Sequence, residues 1–412
     1  MGILGKFGLD HCDLPTMIEN LAILFRGLTI NINKNNFKPI PWIIYFLNLL
    51  GGAFYFYVYI FSMIWFVLFR CPQNEDITIC FLEISLGMCS ASAVMKFFYI
   101  KLYEKSIRIL INKYLQCDRL VIPKTRFATN VLKILRVVKK RALVIWIAFT
   151  VNGGVYIIMP FLVPGRHLTE DLYVIYGLEP MLETPNYEIA TTLMIPAIIS
   201  GVFIMAEIAI FVVVIVGYIE AQMLALSNEI LHLWTDSELF CEKFVEKCNN
   251  VDIIDENMIK NIFIKSQLRD IVKFHIMNIN LRNAVEKKFC IIYFVEIIFI
   301  LCAVVAELLG GLENTYVQVP YTFHQIFLDC WISQKLLDAS VVFERALYSS
   351  QWEKFDVANQ KTILLMLRNA QNTLTLSAGG IAALNYPFLM YVMRFTYSTY
   401  TTLQTTVNQK NR

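Results

Sequence analysis

Hydroxyl side chains crowd the last apolar stretch of the chain, at Thr396, Ser398, Thr399, Thr401, Thr402, Thr405 and Thr406. Hydroxyl groups gain nothing from facing lipid, whereas hydroxyl groups that face water can solvate a passing cation. Thr399, Thr402 and Thr406 are spaced i, i+3 and i+7, so a helix brings them to one face. We interpret this face as the lining of an ion path. The alternative is that the hydroxyls only donate to carbonyls of their own helix.

Two other helical faces have the composition of a binding site for a small apolar molecule. Such sites are mostly apolar and aromatic, with a few polar groups that fix the ligand's orientation. The spacing on the first face brings together Phe149, Asn152, Gly153 and Tyr156, and on the second Tyr321, His324 and Leu328. His324 could donate a hydrogen bond to a carbonyl ligand. The alternative for both faces is ordinary helix packing.

The sequence lacks the patterns that catalysis, metal binding or nucleic-acid binding would require. It has no HExxH, GxSxG or P-loop motif. Its ten cysteines are scattered, without a CxxC pair or a His/Cys cluster at metal-ligand spacing. No basic cluster is dense enough to indicate nucleic acid. We therefore expect no enzyme and no cofactor. The first residues do not resemble a cleaved signal peptide, and none is expected.

The composition indicates a membrane protein. Of 412 residues, 57% are hydrophobic and only 17% are charged, whereas soluble domains are roughly a quarter charged. Seven apolar stretches are long enough to cross roughly 30 Å of hydrocarbon. They cover residues 41–69, 78–100, 142–163, 190–219, 289–310, 321–343 and 381–405. The predicted fold is all-α, a polytopic membrane protein with seven transmembrane helices.

Lysine and arginine in the connecting segments predict the orientation, since basic loops stay on the cytoplasmic side. Residues 101–141 carry twelve and residues 220–288 carry nine. The segments 164–189 and 311–320 carry one and none. Basic and non-basic segments alternate along the chain, which predicts the N-terminus inside and the C-terminus outside.

This orientation excludes a G-protein-coupled receptor, whose N-terminus lies outside and whose C-terminal tail is cytoplasmic. That class also usually links its third helix to the second outer loop by a disulfide. Residues 164–189 contain no cysteine. The number of spans alone therefore does not assign the chain to that class.

Amphipathic segments predict further helices on the cytoplasmic side. Residues 14–30 predict a short helix on the inner membrane face, and residues 102–141 a helical extension. Segments 220–288 and 344–380 keep helical periodicity, with charged residues between apolar ones, and predict an anchor bundle that continues helices four to seven. The predicted organisation is a cytoplasmic segment 1–40, transmembrane helices one to six in 41–343, anchor helices 220–288 and 344–380, and a pore helix with an extracellular C-terminus in 381–412.

Several ionisable residues fall within the predicted spans: Glu83, Glu207, Glu296, Glu307, Lys335 and Arg394. Charges at membrane depth are costly and are usually paired or in contact with water. We expect Arg394 to pair with a carboxylate on a neighbouring helix. Glu307, near the predicted outer surface, needs no partner.

The last seventy residues resemble the C-terminal signature of insect odorant receptors. The similar segments are Ala346–Trp352 (ALYSSQW), Lys361–Gln371 (KTILLMLRNAQ), Ala378-Gly379-Gly380 and Thr396–Leu403 (TYSTYTTL). In the related gustatory receptors, a Thr-Tyr pair is followed five residues later by Gln-Phe. Here Thr399-Tyr400 is followed by Thr405-Thr406. The segment 220–288 has no room for the cytoplasmic insertion of the family's coreceptor, which favours a tuning subunit.

The resemblance implies a heterotetrameric, odorant-gated, non-selective cation channel formed with the odorant receptor coreceptor, with no G protein required. Its ligand would be a small volatile hydrophobic molecule, held in the outer half between helices two, three, four and six. The residues implied there are Leu86, Gly87, Ser90, Phe149, Asn152, Gly153, Tyr156, Ile199, Phe203, Tyr321, His324, Phe327 and Leu328. The implied pore and gate residues are Thr399, Thr402, Leu403 and Thr406. The implied subunit interface residues are Tyr348, Trp352, Arg368 and Gln371, with Tyr348 and Trp352 as i, i+4 partners.

The main alternative is a gustatory-type channel subunit that works without the coreceptor. A membrane enzyme is disfavoured by the missing motifs. A transporter built from duplicated halves is disfavoured because the chain has no internal repeat or paired broken helices.

Overall fold

Long helices account for most of the chain in the computed structural model, which describes residues 7–33, 39–73, 77–169, 171–247 and 255–410. The predicted spans are helical over most of their length, except that the seventh begins with five non-helical residues before the helix starts at Tyr386. The α-helices are α1 (Leu14–Gly27), α2 (Trp42–Tyr55), α3 (Ser62–Trp65), α4 (Ile77–Leu102), α5 (Glu104–Asp118), α6 (Arg126–Leu162), α7 (Asn186–Lys247), α8 (Glu256–Leu309), α9 (Leu312–Thr315), α10 (Gln318–Tyr348), α11 (Val357–Ala370) and α12 (Tyr386–Lys410).

The first span is one continuous helix that contains two π-helical segments. The π-helical segments Phe56–Phe61 and Phe66–Arg70 follow α2 and α3, and the 3₁₀ turn Cys71–Gln73 ends the helix. A π-turn inserts one extra residue into a helix and rotates everything beyond it. The face that this helix presents to its neighbours therefore changes along its length.

Five of the described helices are long and apolar enough to cross a membrane: Trp42–Arg70, Ile77–Leu102, Arg126–Leu162, Asn186–Glu246 and Glu256–Leu309. The helices of the sixth and seventh predicted spans, α10 and α12, are less apolar and are not among these five. Polar residues explain the shortfall, because α10 carries Asp329, Lys335 and Asp338, and α12 is rich in threonine. A helix of this composition must face protein or water rather than lipid along part of its surface.

Helix α7 forms the centre of the bundle. Its residues from 204 to 223 are almost all buried, as expected for a helix that is hydrophobic on every side. It packs against α6, α10, α8 and α2, while α4 packs mainly against α8. Close approach to α6 occurs at Gly217, where an added Cβ would lie 2.5 Å from Val138 Cγ1.

The predicted N-terminal amphipathic helix is present as α1, but its apolar face packs against the protein rather than lying on lipid. Leu14, Ile18, Leu21 and Phe25 are buried, and the Phe25 ring meets the Phe211 ring of α7 edge-on at 5.5 Å. The bundle itself therefore covers the apolar stripe, and the position on the inner membrane face stays a prediction.

Helices extend beyond the apolar stretches at the end of the bundle that the sequence analysis assigns to the cytoplasm. Helices α7 and α8 continue well beyond the apolar stretches, and α5 and α6 are separated by a turn at residues 119–125. Arg126, at the start of α6, binds the Glu229 carboxylate with Nε and Nη2 at 2.9 and 2.7 Å. Its Nη2 also donates to Asp236 at 2.6 Å. This ionic network joins the ends of α6 and α7.

The segment that contains Ala378-Gly379-Gly380 forms a short hairpin before the last helix. Strands β1 (Ser377–Ala378) and β2 (Ala382–Ala383) pair antiparallel. Between them, Gly379 and Gly380 have φ of 63° and 72°, a region that L side chains rarely adopt. Gly379 N donates to the carbonyl of Cys290 on α8 at 2.7 Å, which fixes the hairpin to the bundle.

The opposite end of the bundle, called the outer end after the predicted orientation, is fastened by a disulfide and a folded loop. Cys71 and Cys80 are bonded across the connection to α4, a pairing that the sequence analysis did not predict. In the loop after α6, Tyr173 Oη donates to the carbonyl of Val58 at 2.5 Å. The next residue, Val174, donates its N–H to Glu83 Oε1 at 2.6 Å.

Candidate ligand-binding site

A cavity of about 70 Å³, called the main cavity, lies in the outer half of the bundle. It is formed by the first span together with α4, α6, α7 and α10. Its lining is aromatic and apolar with a few polar groups: Tyr55, Tyr59, Leu86, Cys89, Ser90, Asn152, Gly153, Tyr156, Ile198, Gly201, Val202, Gln318 and Tyr321. This composition is that of a small-molecule site.

Six of the residues predicted for the ligand site line the main cavity: Leu86, Ser90, Asn152, Gly153, Tyr156 and Tyr321. The sequence analysis missed the contribution of the first span, which supplies Tyr55 and Tyr59. It also missed Cys89, Gln318 and the three residues from α7.

Three predicted residues face elsewhere. Ile199 is 55% exposed on the outside of α7, so Ile198 takes its place in the lining. Phe203 packs against Gly27 of α1, where an added Cβ would lie 3.1 Å from Phe203 Cε1. Gly87 lies against Met63, so close that a Cβ would meet its side chain. The helical period was right, but the rotation of α7 was off by one residue.

The remaining predicted residues lie deeper or to one side of the main cavity. Phe149 and Leu328 line a second cavity of about 20 Å³ towards the middle of the bundle. His324 does not line the main cavity, and its ring packs edge-on against Phe149 with centroids 5.0 Å apart. Phe327 stacks on Phe323 at 6.0 Å.

Polar side chains connect α4 to α10 along one wall of the main cavity. Ser85 Oγ lies 3.4 Å from Gln318 Oε1, and Cys89 Sγ lies 3.6 Å from Thr322 Oγ1. Thr322 in turn donates to Glu307 Oε1 at 2.5 Å. Glu307 is fully buried, so the prediction that it needs no partner is wrong. Burial of a carboxyl group without hydrogen bonds is costly, and Thr322 supplies one to Glu307.

A wider cavity of about 170 Å³, called the vestibule, lies at the outer end. Tyr156 lines both the vestibule and the main cavity and stands between them. His167 and Asp171 lie on the vestibule wall, with His167 Nδ1 2.7 Å from Asp171 Oδ2. The hydrogen bond to Asp171 raises the pKa of His167 above its ordinary value.

Charged side chains are buried beneath the main cavity. Lys96 of α4 contacts the carboxylate of Glu296 on α8, and both side chains are almost inaccessible. The sequence analysis listed Glu296 but not its partner. Glu207 of α7 is fully buried, and neither of its carboxylate oxygens has a hydrogen-bond partner among the described residues.

The expected pairing of Arg394 with a carboxylate is not observed among the described residues, where this side chain is exposed on α12. Lys335 is partly exposed, and its Nζ lies 3.9 Å from Asp338 Oδ2 on its own helix.

The hydroxyls of α12 donate to carbonyls of their own helix. Thr399 Oγ1 donates to Phe395 O, and Thr402 Oγ1 donates to Ser398 O, each at 2.9 Å. Thr402 and Leu403 are exposed in the single chain, and Thr399 is half-exposed. The side chain of Thr406 lies outside the described part. The hydroxyls of Thr399 and Thr402 therefore do donate to carbonyls of their own helix, as the alternative interpretation states. The helix face that carries them is not covered by other parts of the chain.

The predicted interface residues lie at the inner end. Tyr348 is 71% exposed at the end of α10, Arg368 and Gln371 are exposed at the end of α11, and Trp352 is half-buried. Tyr348 and Trp352 are not i, i+4 partners on one helix. Helix α10 ends at Tyr348, and Gln351, with a φ of 55°, precedes a separate 3₁₀ turn that contains Trp352.

Comparison with known proteins identifies similar chains. The family model described as 7tm odorant receptor matches residues 76–397. Odorant receptor 22c of Drosophila melanogaster is 26% identical over 137 residues, covering 31% of this chain and 34% of the relative. Odorant receptor Or2 of Anopheles gambiae is 22% identical over 153 residues, covering 35% and 40%. The chain thus matches about a third to two fifths of the length of these relatives.

The fold is similar to that of the insect olfactory receptor OR5 from Machilis hrabei, solved in complex with eugenol and without it. The match to the structure of the complex covers 95% of this chain and 98% of the OR5 chain, with a TM-score of 0.71 and 13% sequence identity. The other structure has a TM-score of 0.70 at the same coverage. At this level of identity the similarity concerns the fold.

Proposed function

The chain belongs to the 7tm odorant receptor family, and on that premise we propose that it is the odorant-binding subunit of a ligand-gated, non-selective cation channel. Its ligand is a small volatile organic molecule, and its partner is the odorant receptor coreceptor in a heterotetramer. The complex lies in the plasma membrane of an olfactory neuron dendrite, and it needs neither an enzymatic step nor a G protein.

The main cavity is the observation that carries this proposal. It lies at the level that the family resemblance predicts, and its walls are mostly aromatic and aliphatic. Its volume of about 70 Å³ is below the roughly 150 Å³ of an apolar protein cavity that holds benzene. A ligand must therefore bind a wider form of the receptor. A ligand that prefers one conformation shifts the equilibrium towards that conformation.

Helix α10 connects the main cavity to the predicted pore helix. Its first turns supply Gln318 and Tyr321 to the cavity, and the same helix packs against α12. Widening of the cavity that moves α10 would therefore also act on α12. The exposed residues Thr402 and Leu403 would line the ion path. A ring of apolar side chains at the Leu403 position, contributed by the assembled subunits, would close the path by excluding water.

Uncovered apolar surface supports assembly with further subunits. Tyr348, Leu364 and Leu365 are exposed at the inner end, and Tyr391 and Tyr397 are exposed on α12. Large aromatic side chains on an uncovered face are typical of interfaces. The inner group corresponds to the predicted anchor bundle, and the α12 group lies on the predicted pore helix.

Electrical recording with and without the coreceptor tests the proposal. Cells expressing this chain with the coreceptor receive a panel of volatile esters, ketones, terpenes, alcohols and aromatics. Ligand-evoked, non-selective cation current that requires both subunits is the expected result. Robust current from this chain alone would favour a gustatory-type channel, and absence of current from both would contradict the proposal.

Two phenylalanine variants of α7 test whether the main cavity binds the activating ligand. Val202→Phe fills the cavity and should reduce sensitivity to the best ligand by at least about tenfold, since an overfilled site costs about 1–3 kcal/mol. Ile199→Phe makes a similar enlargement on the exposed side of the same helix and should leave sensitivity unchanged. Surface biotinylation checks that both variants reach the membrane. Equal loss in both would argue against this cavity.

A further inference from the structure

One polar side chain of the main cavity has an unused hydrogen-bond donor. Gln318, the first residue of α10, is 3% exposed and lines the cavity. Its Oε1 lies 3.4 Å from Ser85 Oγ, whereas its Nε2 has no hydrogen-bond partner among the described residues. A buried amide N–H without a partner is costly, so most buried amides in proteins are paired. A group that pairs with this donor would remove the cost.

Two neighbouring polar groups, Tyr55 and Cys89, already have partners within the protein. Tyr55 Oη donates to the carbonyl of Ser90 at 3.4 Å. Cys89 Sγ lies 3.6 Å from Thr322 Oγ1 and accepts from Gln325 Nε2 at 3.7 Å. None of these contacts uses the Nε2 donor of Gln318. The cavity wall around this donor is mostly apolar.

Building on the function proposed above, we propose that Gln318 Nε2 donates a hydrogen bond to the ligand, and that the receptor prefers small volatile carbonyl compounds such as ketones, aldehydes or esters. A carbonyl oxygen accepts hydrogen bonds and has no proton of its own to place, so it matches a free donor in an apolar wall. A hydrocarbon of the same shape fills the cavity equally well but leaves the amide unpaired, and such sites discriminate against the analogue.

The test uses the full chain with its coreceptor and ligand pairs in which a methylene group replaces the carbonyl oxygen. Suitable pairs are cyclohexanone with methylenecyclohexane, acetophenone with α-methylstyrene, and heptan-2-one with 2-methylhept-1-ene. In the wild type, the ketone of the best-fitting pair should act at about 3- to 10-fold lower concentration than the alkene, the range expected for one neutral hydrogen bond. Equal potency in the wild type would overturn the inference, and this measurement needs no variant.

Gln318→Met keeps the length of the side chain and removes the amide. It should abolish the preference for the ketone while the alkene response stays the same. Gln325→Met is the matched control, because Gln325 is buried on the same helix, does not line the main cavity and already donates to Cys89. This control should keep the preference.

Other outcomes separate this inference from the proposed function. Equal loss of ketone and alkene sensitivity in Gln318→Met would overturn the role of the amide as a donor. Selective loss of the response to 1-phenylethanol, with acetophenone unaffected, would also overturn it, since the amide would then serve as an acceptor. Absence of current with all ligands would instead overturn the proposed function, and this inference with it.

Discussion

Lys96 of α4 and Glu296 of α8 form an ion pair in the interior of the bundle, with side-chain exposures of 9% and 0%. The pair lies beside the second cavity, which Lys96 lines together with Asp329 of α10. Transfer of a charge into a medium of low dielectric constant is very costly unless an opposite charge compensates it. The pair therefore links α4 and α8, which both contribute to the lining of this cavity, and each charge stabilises the other.

Neutralising one member of this pair should be more harmful than neutralising both. Lys96→Met leaves a buried carboxylate unpaired and should lower the free energy of unfolding by about 3–5 kcal/mol, whereas Lys96→Met with Glu296→Gln should recover part of that loss. Thermal unfolding of the detergent-solubilised receptor measures the difference. Lys105→Met, on the exposed face of α5, is the control and should change stability by less than about 0.5 kcal/mol. A double variant no more stable than the single one would contradict the pairing.

Adjacent glycines of α6 provide a second matched comparison. A Cβ at Gly153 would lie 2.6 Å from Val202 Cγ2 in the wall of the main cavity, whereas a Cβ at Gly154 meets nothing within 4 Å. Gly153→Ala should push α6 away from α7 and lower the free energy of unfolding by about 1–3 kcal/mol. It should also change the relative potencies of the ligands. Gly154→Ala should keep these relative potencies and stabilise the helix by up to about 1 kcal/mol. Dose–response curves and thermal unfolding would distinguish the two, and identical behaviour would contradict the close packing.

The positions of the spans could be predicted from the sequence. Which face lines the main cavity could not be predicted for α7 or for the first span. Uninterrupted apolar runs locate a membrane helix, whatever direction each side chain takes. Between residues 193 and 217 of α7 only Ser200 and Glu207 have polar side chains, so no polar stripe marks the outside. The choice of Ile199 and Phe203 instead of Ile198 and Val202 is a rotation of one residue. In α6 the polar residue Asn152 marks the face, and the prediction there was largely correct.

The contribution of the first span was hidden for a different reason. The π-helical segment Phe56–Phe61 begins immediately after Tyr55 and includes Tyr59, and the two side chains line the cavity together. A pattern based on 3.6 residues per turn does not anticipate the extra residue of a π-turn. The buried partner of Glu296 was also missed, since pairing between distant segments leaves no local pattern in the sequence.

The disulfide between Cys71 and Cys80 offers a direct test of the predicted orientation. A reductant and a maleimide that cannot cross membranes, applied to intact cells, should label these two cysteines if this end of the bundle faces outward. The variant Cys71→Ser with Cys80→Ser supplies the background from the other cysteines. Labelling that appears only after permeabilisation would show that this end faces the cytoplasm, and the predicted orientation would then be wrong.

The pair of His167 and Asp171 should make the vestibule wall sensitive to pH. The pKa of His167 is raised by its hydrogen bond to Asp171, so the stabilising contact is fully present below the ordinary histidine pKa of about 6.5 and is lost as pH rises through the higher folded value. Diethylpyrocarbonate modifies neutral imidazole. The receptor is treated with the reagent at pH values from 6 to 8, and mass spectrometry measures the fraction of His167 that is modified. As pH increases, this fraction should begin to rise at a lower pH in Asp171→Asn than in the wild type. Identical profiles would contradict the pairing.

Leu403 on α12 is the residue whose change should separate gating from ligand binding. Its side chain is 40% exposed in the single chain, on the helix proposed to line the pore. A ring of leucines excludes water from a narrow passage, and shortening each side chain to a methyl group widens and wets it. Leu403→Ala should therefore raise current in the absence of ligand, while the order of ligand potencies stays that of the wild type, because the main cavity is unchanged. Met390→Ala, another exposed position on the same helix, should leave the ligand-free current low. A closed channel in Leu403→Ala would place the gate elsewhere, and a reordered ligand profile would show that α12 also shapes the binding site.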